Sequence, residues 1–177
     1  LNLLSNTVVI YTSDHGELQG EHWLFGKAAS FYEGEVRIPF MIRFPDGYMA
    51  GTQVSGLASS IDFVPTILDV LGIDADITLP GKSLIPSIDK GKTNSEYVIS
   101  SINGAMMIRN ERYKLWYDSR YKDGELYDLE NDPYELENLY FKKEFNGLRA
   151  ELFELMLNVR LIEDVKDNLP TAREKSI

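Results

Sequence analysis

A β-branched run that stops abruptly at a polar turn constrains this chain more than any other feature. Val8-Val9-Ile10-Tyr11-Thr12 reads as a strand buried on both faces, as the strands of parallel sheets are. It ends at Ser13-Asp14-His15-Gly16. Ligand sites in parallel sheets lie at the carboxyl ends of strands, which is where Asp14 and His15 fall. A carboxylate oxygen, an imidazole nitrogen and a glycine that lets the backbone turn sharply stand side by side there. Asp14 and His15 are therefore candidate metal ligands, with His22 and Lys27 close enough in sequence to fold back over the same site. The triplet alone also reads as a solvated loop after a core strand.

Composition narrows the class. Hydrophobic residues make up 44% of the 177 and charged residues 26%, the profile of a globular chain rather than a disordered one. The net charge of −10, with no Lys/Arg run longer than two, argues against nucleic acid as a partner, because phosphate binding needs a basic face. An anionic substrate stays open, since a metal ion and one lysine can set a local field against the global sign. There is no cysteine, so neither a disulfide nor a thiolate metal site is available. No stretch approaches the roughly 18 apolar residues of a membrane span. The opening residues, LNLLSN, look like the last turn of a helix entering the strand, so the chain is expected to be a piece of something longer.

Residues 13–35 form a long polar loop whose Trp23, Leu24, Phe25, Phe31 and Tyr32 favour a packed arrangement, with core packing preferred over a substrate wall for Trp23, Phe25 and Phe31. Glu33 and Arg37, four apart, are expected to pair and brace that loop. Val36 to Pro45 reads as a second strand, its ladder beginning after Pro39. Residues 59–72 read as a helix with Asp62 as amino-cap, Pro65 in the first turn and Gly72 as the stop; Val64, Ile67, Leu68 and Leu71 make the face that would lie on a sheet. Residues 73–95 read as linker. Runs at Tyr97–Ile102, Ala105–Arg109, Tyr113–Tyr117 and Glu125–Asp128, with Asn103-Gly104 and Asp123-Gly124 turns, predict an antiparallel meander. Phe145, Leu148, Leu152, Leu155 or Met156, Val159 and Ile162 predict a closing helix packed on it. The acidic run Glu130-Asn131-Asp132-Pro133 lacks calcium-loop spacing and reads as a turn.

Taken together these motifs resemble the carboxyl-terminal portion of the sulfatases, within the alkaline-phosphatase superfamily. The carriers are Asn6-Thr7-Val8-Val9-Ile10-Tyr11-Thr12-Ser13-Asp14-His15-Gly16-Glu17, Gly20-Glu21-His22, Gly26-Lys27, Tyr32-Glu33 and Arg37-Ile38-Pro39. Further on come Ile61-Asp62, Pro65-Thr66-Ile67-Leu68, Tyr113-Lys114-Leu115, Leu126-Tyr127-Asp128-Leu129, Asp132-Pro133, Glu135 and Asn138-Leu139. The resemblance implies an α/β fold: the C-terminal part of an alkaline-phosphatase-like sheet with flanking helices over residues 1–92, then a small α+β subdomain, a four-stranded antiparallel sheet plus helix, over residues 93–177. It implies Asp14 and His15 as ligands of a divalent metal, calcium first and manganese second because an imidazole is unusual for calcium. Lys27 would contact the sulfate, and His22 would stand behind the ligands or on the substrate side, where it could donate a proton; a hydrogen bond that only stabilises the loop is the equal alternative for His22. The implied substrate is a sulfate ester, small or carried on a sugar. Many bacterial sulfatases are exported, which implies a periplasmic or extracellular location that the residues do not show.

Sulfatases attack with a formylglycine made from a Cys/Ser-x-Pro-x-Arg motif, and no such motif occurs here. The paired aspartates that complete the family's metal site are also absent, so the fragment alone is expected to be inactive. Two alternatives remain: a phosphonate monoester or phosphodiester hydrolase of the same superfamily, and a non-catalytic truncated domain. Lacking the first strands of the sheet, the fragment is expected to self-associate through an open edge.

Overall fold

The structure, a computed structural model, describes residues 3–28, 30–74 and 78–167. A single 3-10 turn at Leu4–Asn6 stands where the last turn of a helix was expected, and residues 1–2 lie outside the described residues. Strand β1 (Val9–Thr12) follows, then a hairpin of β2 (Leu18–Gln19) and β3 (Phe25–Gly26), a one-turn helix α1 (Glu33–Val36), and β4 (Phe40–Arg43). β1 and β4 pair antiparallel, from Val9 opposite Arg43 to Thr12 opposite Phe40. Among the described residues β1 has no parallel neighbour, and β4 pairs antiparallel because the connection between them offers only a hairpin and one helical turn, where a parallel pair needs a crossover. Among the described residues β1 is also not buried on both faces: Val9 is 45% and Tyr11 59% exposed. β4 begins just after Pro39, as expected, while Val36 belongs to α1.

Two longer helices complete this part. α2 (Phe63–Leu71) ends at Gly72, whose φ of 64° is the left-handed stop the sequence indicated. Asp62 precedes it without capping its first turn. Its carboxylate instead accepts the N–H groups of Ser59 (2.9 Å) and Lys82 (2.9 Å), while Thr66 Oγ1 donates to Asp62 O and accepts from Leu84 N–H. Those bonds turn the Asp62–Thr66 face inward. The expected apolar face therefore looks outward among the described residues, with Val64 53%, Ile67 40% and Leu71 61% exposed. Contact with β4 is made by Phe63 stacking on Phe40, ring centroids 4.4 Å apart. Within the expected linker stands α3 (Ile85–Lys90), with Pro86 in its first turn and Gly91 as its left-handed stop.

From residue 98 onward the expectation holds closely. β5 (Val98–Ile102), β6 (Ala105–Arg109), β7 (Tyr113–Asp118) and β8 (Asp123–Asp128) form an antiparallel meander in sequence order. Asn103 and Gly104 both take positive φ, the signature of a type I′ hairpin turn. α4 (Asn146–Asp167) packs on one sheet face, where Ile108, Leu115, Leu126 and Leu139 meet Leu152 and Met156. The predicted stripe leaves the core at its far end, and Ile162 is 55% exposed.

Period-2 alternation then dictates what the other face carries. Ala105, Met107 and Arg109 on β6, Lys114 and Trp116 on β7, and Glu125 and Tyr127 on β8 share it by register. Phe31 packs there against Ala105 and Met107. Lys114 is fully buried: its Nζ donates to Phe31 O (2.8 Å) and Glu135 Oε1 (2.7 Å) and lies 2.6 Å from Glu33 Oε1. Glu135 Oε2 accepts the Glu33 N–H at 2.7 Å, and burial pushes the Glu135 carboxyl above its ordinary value. Arg109 Nε lies 3.4 Å from the same Glu33 oxygen without a hydrogen bond. Glu33 thus pairs with Lys114 and Arg109 rather than with Arg37, because α1 turns its carboxylate toward the sheet.

Removing one member of such a group strands the others without compensation. Lys114→Met is expected to lower the unfolding free energy by about 3–5 kcal/mol in urea titrations. A change below about 1 kcal/mol would mean the ion group contributes little.

Candidate functional site

The turn after β1 is held by its own polar atoms. Ser13 Oγ donates to His15 O (2.7 Å), and the His15 N–H donates to Asp14 Oδ1 (3.0 Å). Backbone N–H groups, its own and that of His15, hold the Asp14 carboxyl below its ordinary value, helped by the nearby imidazole. His15 Nδ1 lies 2.7 Å from Gly16 O. A carbonyl only accepts, so Nδ1 carries a proton, and in the neutral ring the lone pair then lies on Nε2. That nitrogen is 3.6 Å from Asp14 Oδ2, with the Asp14 side chain 86% and the His15 side chain 40% exposed. Two donors at this spacing can both reach one cation at about 2.3–2.6 Å. Among the described residues no group of three or more His, Asp or Glu side chains gathers around a common point.

Gly16 is needed for closeness, not for a left-handed turn. Its N–H donates to Glu35 O at 2.7 Å, and a Cβ there would sit 2.0 Å from Gly34 O. The turn therefore rests directly on α1. Glu35 is itself buried, its carboxylate accepting the N–H and Oγ–H of Ser30 at 3.2 and 2.5 Å.

Lys27 follows the β2–β3 hairpin immediately. With Asp14, His15, Glu33, Arg37 and Arg109 it lines one broad cleft of about 1670 Å³. His22 does not line it. The imidazole stacks on Tyr32, centroids 3.6 Å apart and planes within 8°. Tyr32 hydroxyl donates to Glu125 Oε1 (3.3 Å), whose other oxygen accepts from Trp116 Nε1 (3.1 Å) and Tyr127 hydroxyl (2.5 Å). Burial, reinforced by Glu125, pushes the Tyr32 phenol up to about 12. Of the loop aromatics expected to pack, Phe31 does so at 2% exposure, whereas Trp23 and Phe25 are 96% and 81% exposed because the hairpin lifts them off the sheet. Glu130 pairs with Arg112 beside Asp128, and Asn131 and Asp132 N–H groups bond Asp128 O, so the acidic run is a turn.

The structure thus brings Asp14, His15 and Lys27 to one cleft, with His22 outside its lining. Sequence reasoning missed Lys114, Glu125 and Glu135 as the residues that hold this loop. The available signal for Lys114 was a charge on the Trp116 side of an otherwise apolar strand.

The chain matches the family model described as N-sulphoglucosamine sulphohydrolase, C-terminal, over residues 20–161. It is 31% identical to the N-acetylglucosamine-6-O-sulfatase of Bacteroides thetaiotaomicron, over 97% of this chain and 33% of that protein. The solved structure of BT4656 in complex with its substrate D-glucosamine-2-N,6-O-disulfate superposes with a TM-score of 0.82 at 32% identity, covering 96% of this chain and 36% of that one. The phosphonate monoester hydrolase of Agrobacterium radiobacter gives a TM-score of 0.76 at 30% identity, covering 89% and 35%. The chain spans about a third of the length of the curated relatives it matches. These likenesses bear out the alkaline-phosphatase-like α/β fold expected from the sequence.

Gly16→Ala forces a Cβ into a backbone oxygen, which a flexible side chain cannot absorb. It is expected to cost about 1–3 kcal/mol and to shift the His15 ring resonances in NMR spectra. Unchanged stability and shifts would show that the turn does not rest on α1.

Proposed function

The chain belongs to the sulfatase family, matching its carboxyl-terminal portion, and from that premise we propose that it supplies the cation-binding turn and the sulfate-binding lysine of an enzyme that hydrolyses a sulfate ester on a sugar. The observation that carries this reading is the free His15 Nε2 standing 3.6 Å from Asp14 Oδ2, in the cleft that Lys27 also lines. The sugar is supported by the relative named an N-acetylglucosamine-6-O-sulfatase and the neighbour solved with a disulfated glucosamine.

Asp14 and His15 would hold a divalent cation, calcium first and manganese second, which when bound supplies Lewis-acid polarisation of a sulfate oxygen. The lowered Asp14 pKa keeps that carboxylate ionised. The Gly16 carbonyl holds the His15 proton on Nδ1, which aims the ring's lone pair outward. Lys27 binds the sulfate through its ammonium and offsets charge that grows on the oxygens as the ester bond breaks. His22, its plane set by the stack on Tyr32, would serve on the substrate side as a proton donor. The nucleophile comes from outside this sequence, which has no Cys/Ser-x-Pro-x-Arg motif, so the chain by itself is inactive. Residues 1–92 act as part of the catalytic core and residues 93–177 as the subdomain that braces it. The free side of β1 and the open face of α2 are where an isolated copy would self-associate.

Phosphonate or phosphodiester hydrolysis is the second reading, favoured by the likeness to the phosphonate monoester hydrolase. Both reactions present a tetrahedral oxyanion to the same cations. The test is the whole enzyme, with its formylglycine installed, assayed on aryl sulfate and aryl phosphodiester beside Asp14→Ala, Lys27→Ala and His22→Ala. Sulfate release should fall at least about a hundredfold in Asp14→Ala and Lys27→Ala. Turnover of the phosphodiester alone would select the second reading, and sulfate release indifferent to Asp14→Ala would remove the metal assignment.

A further inference from the structure

The tip of the β2–β3 hairpin carries an indole that the described residues leave bare. Trp23 is 96% exposed, and among the described residues no ring or cation stacks on it. Its φ is 62°, directly after His22 at 51°. Two consecutive side-chain-bearing residues therefore hold a left-handed conformation that ordinarily falls to glycine. Strain of this kind persists only where the surroundings over-determine it, and it clusters at ligand sites.

Here the surroundings do over-determine it. Leu18 is fully buried at the hairpin base. The Gly20 N–H donates to Leu24 O (2.9 Å), Trp23 N–H to Gly20 O (3.2 Å), and Leu24 N–H to Glu21 O (2.9 Å). His22 is clamped on Tyr32 at 3.6 Å. Phe25, the other exposed aromatic of the hairpin, lies over Gly20, whose Cβ would meet its ring at 3.7 Å. The backbone that carries Trp23 is thus fixed, while its indole meets no ring or cation among the described residues.

Lys27, near it in sequence, narrows the chemistry of the occupant. Lys27 lies four residues on, so the two Cα atoms are at most about 14 Å apart even if the chain is fully extended. In a chain of net charge −10, this exposed ammonium has no ion pair among the described residues and lines the cleft, with Trp23 outside the lining at the hairpin tip. An exposed aromatic plane on a fixed backbone and an unpaired cation within that reach match a ring with an apolar face and an anionic substituent. An indole offers large contact area at low conformational cost.

We propose that Trp23 is a specificity-determining residue, the platform on which the pyranose ring of a sulfated sugar stacks while Lys27 takes its sulfate. This rests on the sulfatase reading above. The test uses the whole enzyme with Trp23→Gly and Trp23→Phe, the glucosamine 2-, 3- and 6-sulfates, and the ring-free ester propyl sulfate. Trp23→Gly should lower the kcat/KM ratio of the best sugar sulfate to propyl sulfate at least about tenfold, through KM, with Trp23→Phe restoring most of it. Its Tm should stay level or rise, because glycine takes φ 62° without strain. An unchanged ratio in an active enzyme overturns the platform and leaves the sulfatase reading standing. A lower Tm in Trp23→Gly overturns it too, by showing that the indole packs inside the whole enzyme. Failure of the unmodified enzyme to release sulfate from any sugar removes the substrate reading and the platform with it.

Discussion

The buried ammonium of Lys114 is the point on which the rest of the arrangement depends. An unpaired charge in that position would be prohibitive, so the chain must bring compensating oxygens to it. Two carboxylates and one carbonyl arrive from two separate stretches: Glu33 and Phe31 from the loop after the hairpin, and Glu135 from the turn after β8. Satisfying one lysine therefore fastens the loop to the meander. Glu135 adds a second bond by accepting the Glu33 N–H, and it does so at a φ of 57°, a strain that the group's other contacts hold in place.

From that node the constraint passes to the candidate site through backbone alone. Glu33 begins α1, the Glu35 carbonyl of α1 takes the Gly16 N–H, and Gly16 O in turn sets the His15 tautomer. The meander serves two purposes on its two faces. One face is apolar and buries α4; the other carries Lys114, Arg109, Trp116 and Glu125 and grips the loop by charge and hydrogen bonds. The Glu125 group extends the grip to Tyr32 and, through stacking, to His22. A small antiparallel sheet far from Asp14 in sequence thus governs where Asp14 and His15 stand.

The parts legible in the sequence are those set by local physics. Short runs separated by turn residues, Asn103-Gly104 above all, announced the meander, and a threes-and-fours stripe announced α4. The polar end of an apolar run marked Asp14 and His15, and Lys27 is close enough in sequence to share their cleft. What stayed hidden depends on partners distant in sequence. Glu33 pairs with Lys114 because the sheet lies beneath α1, which no four-residue spacing to Arg37 reveals. α2 faces the way it does because Asp62 and Thr66 bond residues 20 and 18 positions away. α3 is six residues long, too short for periodicity to separate from linker, though Pro86 and Gly91 bracketed it. Gly16 was identifiable as important, but its reason, contact with the Gly34 carbonyl, exists only in three dimensions.

The central claim is that the meander positions the His15 turn through Lys114, and native-state hydrogen exchange at the Gly16 amide tests it most directly. That amide is bonded to Glu35 O, so its protection reports whether the turn still rests on α1. In Lys114→Met, the Gly16 amide is predicted to lose protection while amides in the β6–β7 ladder keep theirs. If Gly16 exchanged at an unchanged rate, or only in step with the sheet core, the turn would be held by something other than this buried lysine.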